Sequence, residues 1–294
     1  MTAITDILIP LVTLIIMLTV GLELTVADFS RTVQMPGGLV TGTASQIIIL
    51  PVIALLLIGT VVTDWHLAFG LALVATAPGG ALSNFYVAYA GANTAFSVSL
   101  TGISTLLSVV LMPFILSVLL AFASSTLAST TSVTLPFVID PIAIGRILLL
   151  MLLFPVLVGM AVRHFFEHFV QYWRKAIRRI AVGSLVLLVV IVLLDQWQAM
   201  IEYGFLLVGV ALLFSVLAMS AGWLIGQFAS FEQGDSFALM MEFSIRNLAI
   251  VILVGTTVSR SLDYVAFGAV FFVVQSIIVW PVILLYRRRY KTAS

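Results

Sequence analysis

The sequence contains no cysteine, and charged residues make up only 9% of its 294 positions. Without cysteine, disulfides, thiolate metal sites and cysteine nucleophiles are excluded. Soluble domains carry about 25% charged residues, so this scarcity of charge argues against a water-soluble protein. The net charge is only +1, which gives nucleic-acid binding no support.

Apolar residues dominate instead, at 62% of the chain and a mean hydropathy of +1.25. A membrane span needs about 20 mostly apolar residues, and this pattern predicts a polytopic, all-α membrane protein with nine spans. The predicted spans are residues 5–25, 38–60, 66–91, 94–122, 140–162, 178–198, 203–227, 233–256 and 263–286. We expect the first to be a retained helix, because it lacks a basic segment before it and a small-residue cleavage site after it.

The distribution of Lys and Arg predicts the orientation in the cell membrane. If the amino terminus is outside and the carboxyl terminus cytoplasmic, the inner segments collect nearly all the basic residues and the outer loops hold essentially Arg260. Residues 163–179 then form a basic inner loop that contacts lipid headgroups, and the Ser/Thr-rich residues 123–134 form an outer loop. The inner basic residues are Arg31, Arg163, Arg174, Lys175, Arg178, Arg179, Arg287, Arg288, Arg289 and Lys291.

Two polar clusters interrupt the apolar pattern, at residues 78–84 in span 3 and 242–247 in span 8. A charged side chain at bilayer depth costs roughly 3 kcal/mol or more, so such clusters predict a functional site. Five spans separate them, and this odd offset gives them opposite orientations, as in an inverted-repeat transporter. Pro78, Gly79 and Gly80 favour a helix break in span 3. Span 8 has no Pro or Gly near Glu242, so we expect polar side chains to hold any break there.

Short oxygen-bearing side chains surround the first cluster: Ser83 and Asn84, then Ser97 and Thr101 in span 4. Hydroxyls, amides and carbonyls are ligands for hard cations, and Glu242 would complete such a site. The alternative is that each hydroxyl only bonds its own helix backbone or packs at a helix contact. Gln46 in span 2 also needs a polar partner, and it either joins a site or links two helices.

The run from Pro78 to Asn84, followed by residues 91–101 and 104–107, resembles the signature stretch of the bile acid:sodium symporter superfamily. Residues 21–24 and 242–247 occur in the order that this family shows, so the resemblance covers nearly the whole chain. It implies one transporter domain with two broken, crossing helices in spans 3 and 8. The implied panel comprises the spans near 5–25, 140–162 and 178–198, and the implied core comprises those near 38–122 and 203–286.

The resemblance also implies two sodium sites. The first uses the residues that match Ser83, Asn84, Ser97, Thr101 and Glu242. The second uses Gln46, Glu242, backbone oxygens at Phe243 and Ile245, and a glutamine side chain where this chain has Arg246. The resemblance further implies a set of residues that contact the substrate or replace the charge of a bound ion: Arg246, Asn247, Pro78, Gly79 and Gly80.

Arg246 departs from the family pattern, because a guanidinium has five donors and no acceptor and cannot ligate sodium. One hypothesis is that it pairs with Glu242 or Gln46 and replaces the second sodium. The other is that it faces a vestibule and binds an anionic substrate. We therefore expect a sodium-coupled symporter of a small organic anion or, alternatively, a sodium-independent or proton-coupled organic anion carrier. We expect no enzyme, since no nucleophile, base or metal constellation lies at membrane depth.

Overall fold

The computed structural model describes residues 3–25, 36–127 and 139–290, and helices account for nearly all of these ranges. The α-helices, in chain order, are α1 (Ala3–Glu23), α2 (Pro36–Thr60), α3 (Trp65–Thr76), α4 (Ala81–Ala90), α5 (Thr94–Leu127), α6 (Pro141–Leu148), α7 (Phe154–Phe165), α8 (Glu167–Asp195), α9 (Trp197–Phe228), α10 (Gln233–Ser244), α11 (Leu248–Ser259) and α12 (Ala266–Tyr290). A π-helical turn at Leu149–Leu153 joins α6 to α7, and a 3₁₀ turn at Asp263–Val265 precedes α12. No β-strand occurs within the described ranges.

Six of these helical segments are long and apolar enough to cross a membrane. They are Gly37–Thr60, Thr94–Leu127, Pro141–Phe165, Lys175–Asp195, Gly204–Phe228 and Asp263–Tyr290. Large apolar side chains face outward, including Ile7, Phe205 and Phe228. Exposed apolar surface on this scale is tolerated in lipid and not in water, so the prediction of an all-α membrane protein is confirmed. The number of nine spans stays a prediction.

Two predicted loops are wrong in part. The basic stretch 163–179 is helical, because α7 continues to Phe165 and α8 begins at Glu167, with Phe166 alone between them. Arg and Lys are good helix formers, so a helix can extend past the apolar core on a basic segment. Likewise, α5 continues to Leu127, inside the predicted outer loop, and the rest of that loop lies outside the described residues, as does Arg31.

The helices form two packed groups. In one group α1 packs along α7 and also contacts α8. In the other, α9 packs against α10 and α12, while α2 and α3 pack against α5. Contacts between the groups run through α1 with α11, α8 with α12 and α5 with α6.

Glycines bring the backbones of α1 and α7 into direct contact. A Cβ atom added at Gly21 would lie 2.1 Å from the carbonyl oxygen of Val156, and one at Gly159 would lie 2.3 Å from that of Leu18. Small residues at such an interface let two membrane helices approach closely enough for backbone packing. Helices α1 and α7 therefore form one closely packed pair, and the second group packs beside it.

Asp64 fixes the start of α3. Its Oδ1 accepts the backbone N–H of His66 at 2.7 Å and of Leu67 at 3.2 Å. Burial by itself raises the pKa of Asp64, but the hydrogen bond from the His66 side chain and these two N–H groups outweigh it, and the pKa lies below its usual value. This cap sets where α3 begins, and the helix runs from there to Thr76.

We expect Gly159→Ala to lower the free energy of unfolding by about 1–3 kcal/mol, because the new methyl group would overlap the backbone of α1. The thermal midpoint of the purified protein in detergent measures this loss. Gly209→Ala is the control, since nothing lies within 4 Å of a Cβ at that helical position. Equal midpoints for the two variants would contradict the close packing of α1 on α7.

Candidate functional site

Two helix breaks face each other inside the second group. The first break comprises residues 77–80, between the end of α3 and the start of α4. The second break comprises residues 245–247, between the end of α10 and the start of α11. Pro78 has no N–H to continue α3, while Ile245 and Asn247 adopt extended or near-extended backbone angles.

The backbones of the two breaks bond to each other. The N–H of Asn247 donates to the oxygen of Pro78 at 3.0 Å, and the N–H of Gly80 donates to the oxygen of Ile245 at 2.9 Å. Gly79 and Arg246 pair between these bonds as an antiparallel bridge. Each break thus supplies the hydrogen-bond partners that the other lacks. We call residues 77–80 and 245–247 together the crossing.

The expectation that polar side chains hold the second break is therefore wrong in part. Asn247 does cap α11, with Oδ1 accepting the N–H of Ile250 at 3.4 Å. The backbone of the first break supports it as well, and no sequence signal near Glu242 reports a partner so distant in the chain. Ser104 was also missed: its Oγ accepts the N–H of Gly79 at 3.3 Å.

Both glycines of the first break are needed for close approach. A Cβ at Gly79 would lie 1.9 Å from Oε2 of Glu242, and one at Gly80 would lie 2.9 Å from the backbone oxygen of Arg246. Their absence of a side chain lets the α10 carboxylate reach the backbone of the first break. The sequence prediction that Pro78, Gly79 and Gly80 break span 3 is consistent with this geometry.

Five of the predicted residues meet in one buried group of oxygens, which we call the oxygen cluster: Ser83, Asn84, Ser97, Thr101 and Glu242. Oε1 of Glu242 lies within hydrogen-bond distance of the hydroxyls of Ser83 at 2.6 Å, of Ser97 at 3.3 Å, and of Thr101. Oδ1 of Asn84 lies 2.7 Å from the hydroxyl of Ser97 and 3.2 Å from that of Thr101. Three helices, α4, α5 and α10, contribute these side chains.

The oxygen cluster has more lone pairs than protons. The three hydroxyls of Ser83, Ser97 and Thr101 carry one proton each, yet they also contact the backbone oxygens of Gly80 and Ser97. Some of the short oxygen–oxygen contacts therefore hold no proton between them. Oε2 of Glu242 is buried and makes no hydrogen bond within the described part of the chain. Such an oxygen-rich, proton-poor arrangement fits a hard cation, which accepts lone pairs from every side.

Arg246 is buried, and its guanidinium binds three oxygens. Nη1 donates to Oε1 of Gln46 at 3.2 Å and to the backbone oxygen of Glu242 at 3.1 Å, and Nη2 donates to the backbone oxygen of Ala77. It makes no salt bridge with the Glu242 carboxylate, although both side chains are described. Of the two pairings predicted for Arg246, the structure shows the one with Gln46.

The residues of the implied second sodium site do not fit a cation in this arrangement. Oε1 of Gln46 already accepts from Arg246, and the oxygen of Ile245 accepts from Gly80. Phe243 is fully buried in the last turn of α10. The guanidinium of Arg246 contacts Gln46 in place of a cation.

A cavity of about 790 Å³ opens beside the crossing, between the two helix groups. We call it the interhelical cavity. Lys175 and Arg179 of α8 line it together with Glu23 of α1, and the crossing contributes Arg246 and Asn247. The sequence analysis assigned the two basic α8 residues to membrane orientation and headgroup contact, because nothing local shows that α8 turns them toward the crossing. The apolar walls include Phe85, Leu185, Phe272 and Trp280.

Comparison with known proteins identifies the family. A model of the Sodium Bile acid symporter family matches residues 10–203, well over half of the chain. The chain belongs to the sodium bile acid symporter family. Family membership makes it a transporter and not an enzyme, and it confirms the resemblance drawn from the motif at residues 78–84.

Curated relatives carry related names. An uncharacterised sodium-dependent transporter, YocS, of Bacillus subtilis is 28% identical over 233 residues, which are 79% of this chain and 68% of that protein. A probable chloroplastic sodium/metabolite cotransporter, BASS1, of Arabidopsis thaliana is 26% identical over 82% of this chain and 57% of its own length. The rice protein named BASS2, another probable chloroplastic sodium/metabolite cotransporter, is 28% identical. This chain thus spans little more than half the length of the plant relatives.

We expect Gly79→Ala to destabilise the protein by about 1–3 kcal/mol, because the new methyl group would overlap Oε2 of Glu242 and the backbone there is held by Ser104 and by the bonds of Pro78 and Gly80 to the second break. A shift in the thermal midpoint measures the effect. Gly38→Ala is the matched control, since its nearest neighbour, a ring atom of Phe96, lies at an ordinary 3.5 Å. The site geometry is refuted if both substitutions leave the midpoint unchanged.

Proposed function

We propose that this protein is a secondary active symporter that carries a small organic anion together with sodium across the cell membrane. The single observation that carries the proposal is the buried oxygen cluster at the helix crossing, with a cation-lined cavity directly beside it. The names of the relatives, which describe sodium-dependent transporters and sodium/metabolite cotransporters, support the choice of coupling ion.

Sodium binds in the oxygen cluster. Glu242 supplies the one negative charge, and Ser83, Asn84, Ser97 and Thr101 supply neutral oxygens. The guanidinium of Arg246 makes no salt bridge with this carboxylate, so burial of the charge still costs several kcal/mol, and an ion that contacts Glu242 directly stabilises this arrangement. No group of three or more His, Asp or Glu side chains suited to a divalent metal lies within the described ranges, which favours a weakly charged site for a monovalent ion.

The interhelical cavity binds the organic anion. Among the described residues, its lining carries the cations Lys175, Arg179 and Arg246 and one carboxylate, Glu23, so their combined charge is positive. A volume of about 790 Å³ accommodates a small amphipathic molecule, and the aromatic and aliphatic walls match an apolar body. Candidate anions are bile-acid-like sterols, keto acids, pantoate-like acids and sulfonated compounds.

Alternating access moves one helix group against the other. In this proposal α1, α6, α7 and α8 form the panel, the remaining helices form the core, and the chain spans the membrane nine times with its amino terminus outside. The antiparallel pairing of Gly79 with Arg246 supports an inverted repeat, since it joins two broken helices that meet head to head. The interhelical cavity lies near the carboxyl end of α1, so the described conformation faces the cytoplasm in this orientation.

We expect NaCl, and not KCl at equal ionic strength, to raise the thermal midpoint of the purified protein. Binding to the folded state adds about 2.7 kcal/mol of stability at sodium concentrations 100 times the Kd. Thr101→Val removes one ligand of the oxygen cluster and should weaken sodium affinity at least about tenfold. The readout is the sodium concentration that gives the half-maximal shift.

Thr105→Val is the matched control for this measurement. Thr105 is buried one turn further along α5, and its Oγ1 makes no hydrogen bond within the described residues, so sodium affinity should stay unchanged. Equal sodium titrations of the two valine variants would exclude the oxygen cluster as the sodium site. Uptake driven by a pH gradient without sodium would favour the proton-coupled carrier instead.

We expect one class of organic anion to raise the midpoint further when sodium is present. A screen of the four candidate classes, each with NaCl and with KCl, identifies it. Arg179→Gln should weaken the response to that anion roughly tenfold, because it removes a cation from the cavity lining. The control is Arg260→Gln, an equal change in net charge at an exposed residue after α11. A response to Arg260→Gln as large as that to Arg179→Gln would place the anion elsewhere.

A further inference from the structure

Arg246 carries a permanent positive charge into the centre of the crossing. Its side chain is 6% exposed, and the three oxygens that its Nη atoms contact come from three separate helical segments. Gln46 belongs to α2, Ala77 to the first break, and Glu242 to α10. A group of one side-chain amide oxygen and two backbone oxygens is a typical set of ligands for a monovalent cation.

We propose that the guanidinium of Arg246 is a tethered cation that occupies a second ion position, so that the protein binds one sodium fewer than a member with glutamine there. Its consequence for transport rests on the proposed function, whereas the expected number of bound sodium ions is argued from the contacts of Arg246. A guanidinium donates to the same oxygens that would otherwise ligate an ion. It also cannot leave during a transport cycle.

The contacts of Arg246 argue against a main role as the anchor of the substrate. Both Nη atoms already donate to protein oxygens, and the Nε atom is buried without a partner within the described ranges. Arg246 lines the interhelical cavity and, on the other side of the crossing, a small cavity of about 30 Å³ that also contacts Gln46 and Ser104. That space is close to the size of one water molecule and holds no organic anion.

Replacement of a mobile ion by a fixed one changes the charge that moves in each cycle. With the oxygen cluster as the remaining sodium position, one sodium accompanies each substrate. A monovalent organic anion then crosses the membrane with no net charge. A second mobile sodium would add one positive charge per cycle and make uptake respond to the membrane potential.

The test counts bound sodium on the purified protein by equilibrium binding of radioactive ²²Na⁺. We expect a count of one for the native protein and of two for Arg246→Gln, in which an amide oxygen takes the place of the guanidinium. Arg246→Lys, which keeps a tethered positive charge, should give the native count. Uptake and substrate are not needed for this measurement, so it stands apart from the identity of the organic anion.

Each outcome separates this inference from the proposed function. A native count of two overturns the inference, and so does an equal count in the native protein and a folded Arg246→Gln. A native count of zero with one ion in Arg246→Gln supports the inference and removes sodium from the oxygen cluster. If Arg246→Gln does not give a monodisperse protein, Arg246→Asn repeats the comparison with a shorter amide, and a native count of two overturns the inference in either case.

Discussion

Backbone hydrogen bonding inside a membrane is the constraint on which this structure depends. A helix that breaks within lipid exposes N–H and C=O groups, and each costs several kcal/mol unless it finds a partner. Here two breaks meet, and Pro78 and Gly80 of one satisfy Asn247 and Ile245 of the other. Neither break is stable without its partner, so the crossing forms only when residues far apart in the chain have folded together.

The crossing also balances charge without a direct ion pair. Glu242 accepts from hydroxyls on one side, and Arg246, one helical turn later, donates to carbonyl oxygens on the other. An ionised Glu242 and the guanidinium cancel in total charge. Sodium in the oxygen cluster would therefore leave the region positive, which is the condition under which the cationic interhelical cavity attracts an anion most strongly. In the proposed cycle, ion and substrate thus bind cooperatively through charge alone.

Much of this arrangement was accessible from the sequence, for identifiable reasons. Polar residues in an apolar chain stand out, so Glu242, Ser83 and Asn84 marked the site, and Pro78 with its two glycines marked the first break. The second break carries no such residue, and its partner is supplied by tertiary pairing. Helical extensions at Glu167 and Leu127 were missed because loop composition does not forbid helix. Lys175 and Arg179 were assigned to headgroup contact, because the direction in which α8 points these side chains depends on how it packs against the other helices.

Asn247 connects the crossing to α1 through an unusual partner, since its Nδ2 donates to the sulfur of Met17 at 3.7 Å. A thioether is a weak acceptor on a flexible, unbranched side chain. The hydrogen bond between Asn247 and Met17 is thus weak, and it can break and form again with the two helix groups in a slightly different relative position. A sliding movement of the two groups, as in the proposed alternating access, would therefore meet little resistance at this contact, whereas the glycine-mediated packing holds α1 and α7 together.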